Sequence, residues 1–181
     1  NFTLEILDKK LLETKPKLVC FSVPFPGNLY SAFRCAQHIK NHYPNIKTAF
    51  GGGFANTELR DLKDKRVFEF FDFITLDDGE LPIELLFENV CHSEHREASL
   101  FKRTFLLENG EVVYKNNSER HDYKQAEIGT PDYTDLPLDQ YISVIEIANP
   151  MHSLWSDGRW NKLTMAHGCY WGKCTFCDIS L

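Results

Sequence analysis

Ile46-Lys47-Thr48-Ala49-Phe50-Gly51-Gly52-Gly53 sets a short apolar run directly against three glycines. Such a run is short for a helix and is closed by residues that interrupt regular structure, so it predicts a buried β-strand ending in a tight turn. The same pattern recurs on both sides. Leu18-Val19-Cys20-Phe21 follows the break Lys15-Pro16-Lys17, and a third run covers Phe71 to Leu76 before Asp77-Asp78-Gly79-Glu80. Helical spacing fills the gaps. Leu29, Phe33, Ala36 and Ile39 recur at steps of three and four, with Asn28 as the expected cap and Pro44 beyond the end. A third helix is expected over 56–65, and a fourth with Pro82 in its first turn runs to about Val90. Ahead of them, Leu4, Ile6, Leu7, Leu11 and Leu12 predict a first helix over 3–14 with one apolar face.

Apolar strands alternating with helices predict an α/β, Rossmann-like domain, its mostly parallel sheet covered on both sides. Ligands of such sheets bind at the carboxyl ends of the strands, which here are 22–27, 51–53 and 77–80. Beyond the fourth helix, 92–99 is polar and reads as solvated surface, the bland alternative to a metal site of Cys91, His92 and His95. Arg103 to Tyr114 reads as a hairpin turning at Asn109-Gly110. Residues 116–140 read as a linker, and 162–166 as a strand feeding His167-Gly168-Cys169. The expected divisions are 1–100, a Rossmann-like domain; 101–160, hairpin and linker; and 161–181, the start of a further domain.

The chain has 181 residues, 43% of them hydrophobic, and 20 basic against 26 acidic residues give a net charge of -6. No apolar run approaches the roughly 18 residues that span a bilayer. The acidic balance argues against a nucleic-acid backbone as partner, and the absence of a leader pattern gives a cytoplasmic expectation.

Six cysteines stand at 20, 35, 91, 169, 174 and 177. Cys20 and Cys35 read as core thiols. Cys169, Cys174 and Cys177 follow a C-x4-C-x2-C spacing, and a bending loop lets three thiolates surround one inorganic centre. Several chemistries fit that spacing. Zinc would take His167 or Asp178 as fourth ligand, although structural zinc usually draws on two separated pairs. A plant-type 2Fe-2S centre shares the spacing but needs a fourth cysteine. A redox pair at Cys174 and Cys177 would leave Cys169 without a role, and three unrelated thiols complete the alternatives.

The segment His167-Gly-Cys-Tyr-Trp-Gly-Lys-Cys-Thr-Phe-Cys-Asp178 resembles the cluster loop of radical S-adenosylmethionine (radical SAM) proteins. That resemblance implies a 4Fe-4S cluster held by Cys169, Cys174 and Cys177, with its fourth iron open to the amino and carboxylate groups of S-adenosylmethionine. It places Phe176 beside the adenine. It also implies reduction by a donor such as flavodoxin or ferredoxin, and makes 162–166 the first strand of a (β/α) barrel. Four residues separate the first two cysteines where three is commonest in the family, a longer loop shared by members with a cobalamin-type front domain.

Residues 1–91 resemble such a front domain, the flavodoxin-like cobalamin-binding type. Ser22-Val23-Pro24 is followed, after the 26 residues Phe25 to Phe50, by Gly51-Gly52, which agrees with the family's Ser-x-Leu and Gly-Gly spacing. The resemblance implies that Ser22, Gly51, Gly52 and Gly53 meet the cobalamin tail and that Asp78 and Glu80 shape the pocket. Pro24 departs from the family's leucine, and the place of the cobalt-ligating histidine falls before Asn1. The implied activity is radical chemistry on an unidentified substrate, with cobalamin-dependent methyl transfer as one form. The alternative is a corrinoid-sensing or electron-transfer iron-sulfur module.

Overall fold

A computed structural model describes residues 2–91, 100–134, 136–137 and 171. The chain divides into two units, Asn1–Asp122 and Tyr123–Leu181. In the first, the order is α1 (Phe2–Thr14), β1 (Leu18–Ser22), α2 (Leu29–His42), β2 (Lys47–Gly51), α3 (Gly53–Glu58), β3 (Phe73–Thr75), α4 (Glu80–Cys91), β4 (Thr104–Glu108) and β5 (Glu111–Lys115). Short 3-10 turns cover Pro26–Asn28 and Lys65–Glu69. In the second unit the described residues carry turns, such as the one closed by Glu127 N–H on Lys124 O at 2.8 Å.

Among the described residues five strands form one open mixed sheet in sequence order, β1-β2-β3-β4-β5. β1, β2 and β3 are parallel, while β4 runs antiparallel to β3 and β5 to β4. The Asn109-Gly110 hairpin forms with left-handed φ values of 52° and 81°, as two-residue hairpin turns require. It extends this sheet rather than standing apart from it.

Helices lie on both faces, and the two-residue period of β2 shows it. Phe50 packs with Ala32 and Ala36 of α2, whereas its neighbour Ala49 packs with Leu86 of α4. Ile74 and Phe105 join the α2 side, and Phe73 and Leu106 the α4 side. The α2 side centres on a fully buried Phe71, whose ring lies 5.0 to 5.6 Å from those of Phe21, Phe33 and Phe50. α1 caps this layer through Leu11, which packs with Ile39 and Ile46.

Local structure departs from the sequence expectation in three places. The helix expected over 56–65 starts earlier and ends at Glu58, because Val23 O accepts the Phe54 N–H at 3.0 Å and begins the turn at once. Asn28 makes no side-chain cap; it is the last residue of the 3-10 turn that leads the backbone into α2. The first helix buries Leu4 and Leu11 but exposes Ile6 and Leu12, so its apolar face is narrower than the spacing suggested.

Asp72 ties the entry of β3 to its neighbours. Its carboxylate accepts from Thr48 N–H at 2.8 Å and pairs with Lys40 at 2.7 Å and Lys47 at 3.2 Å. Burial pushes its pKa up, but the Lys40 and Thr48 hydrogen bonds and the two ammonium charges outweigh this and hold it below the ordinary 3.8. A depressed carboxylate stabilises the fold fully above its unfolded pKa and loses that contribution as pH falls through the folded one. Asp72→Asn is expected to lower the unfolding free energy at pH 7 by about 1.5–3 kcal/mol. Urea titrations should show its deficit against wild type shrinking as the pH is lowered below 3.8.

Candidate functional site

The parallel strands end together, and their carboxyl ends bound a cavity of about 230 Å³ on the α4 side. Residues two apart on a strand share a face. That places Cys20 and Ser22 of β1, Ala49 and Gly51 of β2 and Thr75 of β3 along one wall, with Gly52, Asp77, Gly79 and Ile83 closing it. The register sets Ser22 beside Gly51. A Cβ on Gly51 would lie 2.8 Å from Thr75 Oγ1, so glycine lets the threonine hydroxyl occupy that space.

The β3–α4 turn is held in a strained form. Asp77 has φ of 61°, a conformation that costs a residue with a side chain on the order of 1 kcal/mol or more. Its N–H donates to Asn56 Oδ1 at 2.7 Å and its carboxylate pairs with Arg60 at 2.5 Å. Arg103, from the residue before β4, donates to Leu76 O at 3.3 Å and Asp78 O at 3.0 Å. The same guanidinium grips Asp122 in a two-pronged pair of 2.6 and 2.7 Å. These bonds, chiefly, hold the Asp122 pKa below its ordinary value against the opposing effect of burial. The hairpin therefore fixes the loop that closes the cavity.

Ser22, Gly51 and Gly52 thus line one cavity. Gly53 opens α3, Asp78 offers its carbonyl to Arg103, and Glu80 opens α4, so these three stand beside the cavity rather than in its wall. Cys169, Cys174, Cys177 and Phe176 lie outside the described residues, among which no cluster of His, Cys, Asp or Glu can hold a metal. No family model matches the chain, and no curated protein is significantly similar to it. No helix among the described residues is long and apolar enough to cross a membrane.

Cys20, Thr75 and Ile83 were not singled out by the sequence, although the strand period carried a signal for two of them. Cys20 sits two residues before Ser22, and Thr75 two before Asp77. Cys20, expected in the core, is instead exposed. Desolvation by the surrounding protein nonetheless raises its pKa above the ordinary thiol value, so at neutral pH it presents a neutral S–H.

Gly52 and Gly53 are required by contacts inside the chain. A Cβ on Gly52 would stand 2.8 Å from Val23 N and 2.9 Å from Val23 O, and one on Gly53 would stand 2.7 Å from Pro24 O. Gly52 also has φ of 97°. By contrast, a Cβ on Gly27 meets nothing within 4 Å. Gly52→Ala is expected to destabilise by at least about 1–3 kcal/mol, the cost of a strained backbone before the clash is added. Gly27→Ala should stay within about 0.5 kcal/mol of wild type, and denaturant midpoints of the two variants measure the contrast.

Proposed function

We propose that this chain is the front part of a radical S-adenosylmethionine enzyme, in which a cobalamin-type Rossmann-like domain precedes a cluster-bearing barrel. The observation that carries this reading is the loop Cys169-x4-Cys174-x2-Cys177 with Phe176 before its last thiol. Three thiolates can hold three corners of a four-iron cluster and leave one iron without a protein ligand. The chain's part would be to hold these cysteines on one loop as thiolates, their protons released to solvent as iron binds, and to set Phe176 against the adenine. When bound, the cluster supplies the electron for reductive cleavage of S-adenosylmethionine, taken from a donor such as flavodoxin or ferredoxin.

For the first unit, two features support the cobalamin-type reading. A flavodoxin-like sheet has the order 2-1-3-4-5, in which its last three strands are adjacent and parallel, as β1, β2 and β3 are here. The cavity also combines the hydroxyls of Ser22 and Thr75 with the apolar side chains of Ala49 and Ile83, a donor set suited to a flat heterocyclic base. At about 230 Å³ it lies below the roughly 300–1,000 Å³ of most small-molecule sites, so it fits one ring system of a corrinoid tail and not the macrocycle. Gly52 and Gly53, explained by the Val23–Pro24 backbone, favour a second reading for this unit: a sheet of this lineage that keeps its glycines without a corrinoid.

The test uses the intact polypeptide that contains this chain. Anaerobic reconstitution should load about four irons per chain and give a reduced-state paramagnetic signal that shifts on adding S-adenosylmethionine. Cys169→Ala, Cys174→Ala and Cys177→Ala should each abolish that signal, while Cys35→Ala and Cys91→Ala leave it intact. One bound zinc, or a 2Fe-2S centre indifferent to S-adenosylmethionine, would overturn the radical-enzyme reading.

A further inference from the structure

On the α2 side of the sheet, opposite the cavity described above, a second cavity of about 500 Å³ opens against Phe50. It exists because the connection from β2 to β3 is poor in helix. Where α2 supplies 14 helical residues over the preceding crossover, α3 supplies 6 and is followed by a 3-10 turn of 5. The shortened crossover leaves Phe33, Phe54, Leu59, Leu62 and Phe70 only partly buried around the space. Apolar walls facing water carry a free-energy cost that an apolar occupant removes.

We infer that this cavity is a binding site for a neutral, planar aromatic small molecule, independent of the cluster and cobalamin readings. The size fits: a dry cavity of about 150 Å³ accepts one benzene ring, so about 500 Å³ accommodates two or three fused or linked rings. The walls select for aromatic character. Phe33 meets Phe50 at 67° and Phe70 at 58°, and Phe50 meets Phe54 at 80°. These steeply inclined rings offer both edges and faces to a flat ring, the geometry that aromatic pairs prefer. The charged groups stand at the rim: Asp64 and Arg66 bind each other through two Nε hydrogen bonds of 2.9 and 3.0 Å, and Glu69 is exposed. An ion inside the cavity would find no counter-charge among its apolar walls, so the buried part of the ligand is neutral.

The probe is N-phenyl-1-naphthylamine, a neutral two-part aromatic whose fluorescence rises in apolar surroundings, titrated into the whole chain. Saturable binding at one site per chain is expected. Leu62→Trp, which fills the cavity, should weaken binding by about tenfold or more, equivalent to 1.4 kcal/mol. Phe87→Trp, an added indole at an exposed position of α4 across the sheet, should leave it unchanged. In the wild-type chain, intermolecular NMR contacts from the probe to the rings of Phe33, Phe54 and Phe70 are expected, a readout that does not depend on any variant folding. Non-saturable or multi-site binding, wild-type affinity in a folded Leu62→Trp, or absence of those ring contacts would overturn the inference.

Discussion

The backbones of Val23 and Gly52 lie so close that no side chain fits between them, and the rest of the sheet edge is organised by that approach. Val23 donates to Gly51 O at 2.8 Å and accepts from Phe54 N–H at 3.0 Å. Two hydrogen bonds thus finish the β1–β2 ladder and start α3 in the same few residues. Because the turn is this sharp, Ser22 and Gly51 remain level with each other. The cavity beside them is a consequence of where these strands stop.

Strand identity and the parallel core were legible because burial on both faces demands apolar runs, and the chain states these plainly at 18–21, 46–50 and 71–76. The hairpin was legible for a different reason: Asn109-Gly110 is one of the few pairs that tolerate two left-handed residues in a row. The third helix was misplaced because its start is set by a hydrogen bond to Val23, some thirty positions away, which no local propensity records. Exposure of Cys20 was equally hidden. An apolar strand with an open side reads like one covered on both, and only the strand order, in which β1 stands at the end of the sheet among the described residues, separates the two.

At the site, residue types were legible and their reasons were not. The glycine triplet stood out, but its meaning depended on what a Cβ would strike, and at Gly52 and Gly53 that is backbone of the same chain. In the sequence Arg103 marks only the start of the hairpin, yet it joins the β3–α4 turn, through two carbonyls and the Asp77 carboxylate, to the carboxylate of Asp122. Long side chains that bridge elements distant in sequence leave no periodic trace. A guanidinium with several fixed acceptors restrains a loop more tightly than any one of those bonds would alone.

The sequential strand order has a kinetic consequence. Among the described residues each strand pairs with its chain neighbours, so no loop must be threaded between strands already formed. Contacts are comparatively local for a sheet that is parallel over three strands, and local contacts shorten the search. The β4–β5 hairpin closes with the shortest loop and offers β3 a ready edge. β1 and β2 are joined through a whole helix and must wait for α2 to pack. The hairpin can thus form before either crossover closes, while the five-residue β1–β2 ladder needs α2 in place.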